Sequence, residues 1–318
     1  MSLMRPRAKV TLDGQQLTAA EAAVLVVRVW LSVLGKHDAA ELVLWPRSKF
    51  AGAKAGNTLA IALGDQDSEV DVWTGEVTAV DVGPDAVVIE GLAKTVELSR
   101  RRLSQTYLEQ SIADIVRDLA GPVTVAEADS DLQLSAYCVD DRRPVWSYLG
   151  DLARIAGAEL GASAAGGLRF VPVPTGAAEV QLRAGADVVS SRVGSRQRLT
   201  AASVAAHGAG SEAGAEQWHW LLRSPSPSEG DGPVDVVAAL HTRDAANHMG
   251  KALGDRAARA ATAGRVVLVG RADVRPGALV EITELATESP GVLHVLSVEH
   301  VLDSRAGLVT RLAVEGAL

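Results

Sequence analysis

Seven histidines and a single cysteine are the side chains of this 318-residue sequence best suited to hold a metal or move a proton. His241 and His248 lie seven apart around a predicted helix start, His294 and His300 six apart in a predicted strand, and His219 between Trp218 and Trp220. Even spacing in a strand places His294 and His300 on one face, but about 20 Å apart, too far to share a metal ion. Structural or surface roles are therefore expected. Cys138 alone makes no intramolecular disulfide and no cysteine-rich zinc site, so a buried structural thiol is expected. The acid pairs Asp140-Asp141 and Asp65 with Asp67 are the candidates for general acid chemistry. Loop solubility and capping is the reading they support, with Asp141 beside the N-terminus of a helix near Pro144. Arg100-Arg101-Arg102 is the densest cationic run and reads as a solvated link.

No motif joins these residues into a mechanism. The sequence has no Gly-x-Ser-x-Gly elbow, Walker loop, His-Glu-x-x-His or EF-hand loop. Gly208-Ala209-Gly210 with Gly214 misses the dinucleotide spacing and lacks a βαβ context, so it reads as a turn. No catalytic, cofactor-binding or metal residue is predicted, no cofactor is implied, and the expectation is a protein that is not an enzyme.

Composition narrows the class further. A net charge of -8 and a pI near 5.4 oppose stable nucleic-acid binding, which needs a cationic surface. Hydrophobic residues make up 47% and aromatics 3%, so the core must be built from Val, Leu and Ala. The apolar run Val24 to Leu34 carries Arg28 and follows Asp13 and Glu21, which opposes a signal peptide. It is also shorter than the ~20 apolar residues of a membrane helix. A soluble chain without a cleaved signal or membrane insertion is expected.

The elements that must position these side chains are mostly strands. Ala8 to Leu12 meets the turn Asp13-Gly14, and Val24 to Leu34, Glu41 to Trp45, Thr58 to Leu63, Val70 to Val80 and Ala86 to Ile89 follow. The period changes at Thr106-Tyr107-Leu108-Glu109, which reads as a capping box before the stripe Leu108, Ile112, Ile115, Val116 and Leu119. A second helix is expected from Pro144 to Gly157, a hairpin turn at Gly166-Gly167, an exposed loop over Ser224 to Pro233, and a helix from Thr242 to Gly264. Strands close the chain at Val266 to Val269, Leu279 to Ile282, Val292 to Val298 and Leu308 to Val314.

The β pattern echoes itself. Gly56, Leu59 and Ile61 resemble Gly277, Leu279 and Ile282; Val77 and Val80 resemble Val295 and Val298; Ile89-Glu90-Gly91 resembles Val314-Glu315-Gly316. Two copies of one β module are expected.

Three patterns in order carry a family resemblance. They are Trp73-Thr74-Gly75-Glu76-Val77; then Val145-Trp146-Ser147-Tyr148-Leu149 with Leu152-Ala153 and Gly157, before Gly167-Leu168-Arg169-Phe170; and last Gly270, Arg275-Pro276-Gly277, Val295 to His300 and Gly307-Leu308-Val309-Thr310. Over nearly the whole chain they resemble baseplate hub proteins of contractile phage tails and injection systems, the late control D family and the N-terminal part of VgrG-type spikes.

That resemblance implies a mainly β fold with α insertions (α+β), in which two tube-protein-like β-barrel domains are linked by a helical segment. The expected domains are 1–103, a first barrel; 104–160, the helical segment; and 161–318, a second barrel with loop 224–233 and helix 242–264. It implies a homotrimer, a ring of six similar barrels, that adapts a six-fold tail tube to a three-fold spike around a delivery channel. The implied partners are tail tube protein, a separate spike protein, baseplate wedge components, and tape-measure protein or cargo. Assembly in the bacterial cytoplasm as part of a tail or injection particle follows. No lysozyme-like insert and no needle after Gly316 are found, so the spike is expected on another chain. A tail-associated cell-wall hydrolase is the alternative. So is a carbohydrate-binding β protein with a groove lined by Trp30, Trp45 or Trp73.

Overall fold

A computed structural model of the chain describes residues 6–65, 68–195, 205–207, 234–285 and 289–318. The first strands are β1 (Pro6–Leu12), β2 (Gln15–Thr18), β3 (Val24–Ser32), β4 (Ala39–Leu44), β5 (Thr58–Asp65), β6 (Ser68–Val82) and β7 (Val87–Leu92). Val, Ile and Leu alternate with polar residues along most of them, and the burial follows that alternation: β4 reads as three buried side chains interleaved with three half-buried ones. A 3₁₀ turn (Lys94–Val96) and α1 (Glu97–Arg100) lead into β8 (Gln105–Ser111), α2 (Ile112–Ala120), β9 (Val125–Ala128), β10 (Gln133–Val139), α3 (Val145–Ala156), β11 (Ala158–Ala162) and β12 (Leu168–Pro172). Then come β13 (Val180–Arg183), β14 (Val188–Ser195), β15 (Ala205–His207), β16 (Val234–Val236) and α4 (Arg243–Arg259). The chain finishes with β17 (Thr262–Val269), β18 (Leu279–Thr283), β19 (Val292–Asp303) and β20 (Gly307–Gly316).

Among the described residues thirteen strands join one sheet in the order β14-β17-β20-β19-β3-β4-β7-β6-β5-β1-β2, with β18 beside β19 and β13 beside β18. The fold is thus mainly β with few helices, as the sequence pattern implied. One apolar core underlies both ends of this sheet, from Val10, Val29, Leu42 and Ile89 to Val266, Ile282, Val295 and Leu312. A second core is helical: Ile112, Ile115 and Leu119 of α2 and Leu149 and Leu152 of α3 pack with Phe170 of β12 and with Ala245 and Met249 of α4.

Two predicted boundaries moved. Thr106 to Glu109 is strand, not a helix start, and α2 begins at Ile112 with Ser111 as its cap. The Ser111 hydroxyl oxygen accepts from the Asp114 amide at 3.1 Å and donates to the Asp114 carboxylate at 2.7 Å. Both segments carry capping chemistry, and the downstream one prevails because Gln105 to Ser111 pairs with β10 and buries Tyr107 opposite Tyr137. Leu108 leaves the predicted stripe and is exposed. The helix expected to reach Gly264 ends at Arg259, since Thr262 already pairs in β17. There Gly264 runs so close to β14 that a Cβ would lie 2.3 Å from the Arg192 carbonyl oxygen. By contrast α3 starts after Pro144 and stops at Gly157 in the left-handed conformation, as predicted. The loop 224–233, His219, Asp67, Gly208-Ala209-Gly210 and Gly214 lie outside the described residues.

Trp73 is the largest fully buried side chain among the described residues, and glycines make its room. A Cβ at Gly91 would sit 2.7 Å from the indole Cη2, and one at Gly75 2.5 Å from Cζ2. Gly91→Ala is expected to lower stability by about 1–3 kcal/mol. Gly52→Ala, at a position with open space around it, should stay within about 0.5 kcal/mol of the parent. Urea unfolding of the two variants checks this, and equal midpoints would contradict the packing described.

Candidate functional site

Backbone register divides the large sheet into two equivalent halves, β6-β7-β4-β3 and β19-β20-β17-β14. Each half carries two irregularities at matching places. The β6/β7 register shifts between Val77 and Ala79, and the β19/β20 register between Val295 and Ser297. The β3/β4 register shifts between Val24 and Val26, and the β14/β17 register between Val188 and Ser190. Turn geometry agrees: the Gly56 amide donates to the Val77 carbonyl at 2.9 Å and the Gly277 amide to the Val295 carbonyl at 2.8 Å, both glycines having positive φ. Bulges at identical positions in both halves mark one module used twice.

This register sharpens the sequence echo. Gly56, Ile61, Val77 and Val80 do correspond to Gly277, Ile282, Val295 and Val298. Leu59, however, pairs with Gly75 as Val280 pairs with Leu293, so its counterpart is Val280 and not Leu279. Gly91 lies opposite Val77 as Val314 lies opposite Val295, so the Glu-Gly match at Glu315-Gly316 is displaced by two residues. A shift of two keeps the same face, which is why the echo stayed visible.

The halves meet where β3 pairs antiparallel with β19, from Ser32 opposite Ser297 to Val26 opposite Asp303. Across this seam the Trp30 indole N–H donates to Glu299 Oε1 at 3.2 Å, and Glu299 also pairs with Arg311 at 2.9 Å. The helical core is fastened at one end of the same seam. Leu160 of β11 exchanges backbone hydrogen bonds with Val33 and Gly35, and the Trp146 indole donates to the Gly35 carbonyl at 2.8 Å.

A buried charge network ties that core to the second half. His294 Nε2 lies 2.5 Å from Glu159 Oε1 and its Nδ1 3.1 Å from Glu315 Oε1. Arg259 Nε donates to Glu315 at 3.0 Å and Arg169 Nη1 to Glu159 at 2.9 Å. Ionised carboxylates only accept, so both imidazole nitrogens carry protons and His294 is a cation. Burial pulls its pKa down, but the hydrogen bonds and charges of Glu159 and Glu315 outweigh burial and leave it raised. Burial likewise pushes Glu315 up, and His294 with Arg259 brings it below its ordinary value. His300, six residues along the same strand, is the opposite case. Its Nδ1–H donates to Thr310 Oγ1 at 2.9 Å, because the Thr310 hydroxyl is committed to the Arg271 carbonyl. Burial, with Arg275 nearby, lowers its pKa to about 4, so it is neutral. The two histidines do not share a face as expected: the bulge between Val295 and Ser297 adds a residue, so their partners Glu315 and Thr310 are five apart on β20 and the two rings point to opposite sides of the sheet, both interior.

Other candidates disperse. Asp140 accepts from Arg142 and from the Tyr148 hydroxyl, which bring it down to about 2 and make it no proton donor at neutral pH. Asp141 does not cap α3, whose N-terminus has no side-chain cap; its carbonyl instead accepts from Arg102. In the arginine run Arg100 and Arg102 are exposed, as a solvated link predicts, and Arg101 is half-buried; Arg101 donates to the Leu119 carbonyl, and Arg102 to those of Asp141 and Arg142. Cys138 is exposed, opposite Thr106, where a buried thiol was expected, because that face of the two-stranded β8–β10 sheet looks outward. His248 lies 3.0 Å from the Ala156 carbonyl at the end of α3. Asp65 ends β5, opposite Ser68. Trp73 is interior, while Trp30 and Trp45 are exposed at opposite ends of the β3/β4 pair, about 20 Å apart, so the three make no common groove.

One group escaped sequence inspection. Asp38 is buried in the cleft beside Arg275 and accepts from the Ser32 amide at 2.9 Å; burial pushes its carboxyl up to about 7. Nothing marks a lone Asp in a loop until the cleft forms. That cleft also gathers Glu127, Asp129, Glu179 and Arg169, but no histidine or thiol lines it. Among the described residues no group of three or more His, Cys, Asp or Glu is placed to hold a metal ion. No described helix is long and apolar enough to cross a membrane.

Several solved structures share this fold. The tail protein from Neisseria meningitidis MC58 superposes with a TM-score of 0.75 at 14% identity, covering 98% of this chain and 96% of that one. The 43 kDa tail protein of prophage MuSo2 from Shewanella oneidensis gives 0.68 at 14% identity, covering 97% and 98%. The E. coli c3393 protein, a type VI secretion component described as similar to the T4 tail proteins gp27 and gp5, gives 0.60 at 9% identity, covering 93% and 74%. No protein-family model matches the sequence, and no curated protein does. The fold is that of phage tail and type VI secretion proteins.

The network dictates a pH response. His294, with its raised pKa, contributes stability that is full below its unfolded value near 6.5 and lost as pH rises through the folded value. Glu315, with its lowered pKa, contributes stability present above 4.5 and lost as pH falls through the folded value. His294→Gln removes the cation shared by Glu159 and Glu315 and leaves each with a single arginine partner, Arg169 and Arg259, so it should cost about 1–3 kcal/mol. Unfolding midpoints measured across pH should show the loss above pH 6.5 in the parent and not in the variant. A parent insensitive to alkaline pH would contradict the charged state assigned to His294.

Proposed function

We propose that this chain is a structural baseplate hub of a contractile tail or injection system. Three copies form a ring in which each contributes two tube-like modules, lying within residues 1–103 and 161–318 and flanking the segment 104–160. Six similar modules match a six-fold tail tube on one face, and three chains match a three-fold spike on the other. The ring encloses the delivery channel, and tube protein, a separate spike, wedge components and tape-measure protein or cargo are its partners. The late control D family is the one its motif order fits.

The observation that carries this reading is the duplicated half-sheet within one continuous sheet, in a fold shared with tail proteins. A module repeated twice per chain turns a three-fold assembly into a pseudo-six-fold one, which is what joining a six-fold tube to a three-fold spike demands.

Native mass spectrometry of the purified full chain, with cryo-electron microscopy of tails that contain it, tests the proposal. A trimer with a pseudo-six-fold ring of modules is expected. A monomer in solution and in the particle would overturn it.

A further inference from the structure

The eight-stranded path β6-β7-β4-β3-β19-β20-β17-β14 ends in two open strand edges. On its outer side β14 has no strand partner from Ser190 to Ser195 among the described residues, and β6 beyond Val77 pairs with β7 alone. Open edges of this length invite pairing with another chain. The seam inside the molecule shows how such edges fit: the part of β19 that β3 covers begins at Ser297, whose counterpart in the first half is Ala79. The covering strand β3 has β14 as its counterpart, Arg28 matching Arg192. Strand direction agrees as well. Every step along the path is antiparallel, so β14 of one copy and β6 of the next run antiparallel too.

We infer that the outer edge of β14 pairs antiparallel with the end of β6 in a second copy of this chain, with Val193 opposite Val82 and Gly194 opposite Asp81. This rests on the hub reading and names the contact that closes its ring.

Charge and apolar area support this register independently. Arg192 stands directly opposite Arg265 within the chain, a destabilising like-charge pair, and neither has a salt bridge among the described residues. Asp81, exposed and likewise without a salt bridge among the described residues, arrives diagonally across from Arg192 on the same face and neutralises the pair. Its counterpart at the internal seam is Glu299, the carboxylate that takes the Trp30 N–H. On the other face Val82 is 75% exposed, the most exposed of the large apolar side chains among the described residues. It meets Val193, as His300 meets Val29 inside the molecule.

Thiol cross-linking tests the register in the full chain with Cys138→Ser as background. Val82→Cys with Val193→Cys, treated with a short bifunctional thiol reagent, should give covalent oligomers that end in a closed species. Each single cysteine should give none, nor should Val193→Cys with Glu76→Cys, which is about 20 Å out of register. In parallel, Arg192→Asp and Asp81→Arg should each shift assembly to higher protein concentration, and the double exchange should restore it. A trimer by mass that cross-links only out of register, or not at all, overturns the pairing and leaves the hub reading standing. A monomer under all conditions overturns both.

Discussion

Backbone pairing along the seam between β3 and β19 is the constraint on which the rest of the molecule depends. It joins strands from opposite ends of the chain, so everything between them must fold into loops that return to the same sheet. Seven residue pairs hold the seam, and Trp30 with Glu299 is its outward side-chain contact. Without it each half would expose another strand edge and the shared apolar core would open along its middle. Joining such distant segments carries a loop-closure cost that grows slowly with length. Burial of Val29, Val298 and their neighbours offsets it.

The helical core is a consequence of that seam. Beyond Ser32 the β3 chain runs on past β11, where Val33 and Gly35 meet Leu160, so the small unit extends an edge that the seam has already positioned. It then meets the second half through Glu159, His294, Glu315 and Arg259, four charged side chains that are nearly inaccessible. Such a cluster is weak evidence for stability, since desolvation opposes its attraction, but it tolerates few alternative arrangements. Its work is to fix where β11 and α4 sit on the sheet.

The two halves match in register but differ at equivalent positions. His294 corresponds to Glu76 and Glu315 to Leu92. In the first half Glu76 is half-exposed and pairs loosely with Lys94 at 3.7 Å. In the second half Glu159 of β11 and Arg259 at the end of α4 reach this position, and His294 is a buried cation between two acids there. The bulges, in contrast, recur in both halves, because they set strand curvature and any module of this sheet needs them.

Alternation, turn glycines and cap residues act over a few neighbours, and they sufficed to make the strands, α3 with its Gly157 stop and the repeated module legible from sequence alone. The absence of a catalytic motif and the order of family-like patterns were legible in the same way. Where two local signals competed, as at Thr106 and Ser111, only pairing with β10 chose between them. The exact alignment of the repeat needed the ladder, since residues two apart in a strand share a face and look alike in sequence. Charge states were decided last: His294 and His300 have identical chemistry and lie in one strand, but the bulge between Val295 and Ser297 turns them to opposite faces of the sheet. One is a cation between carboxylates and the other a neutral ring, because electrostatic environment is a property of what the fold brings within a few ångströms.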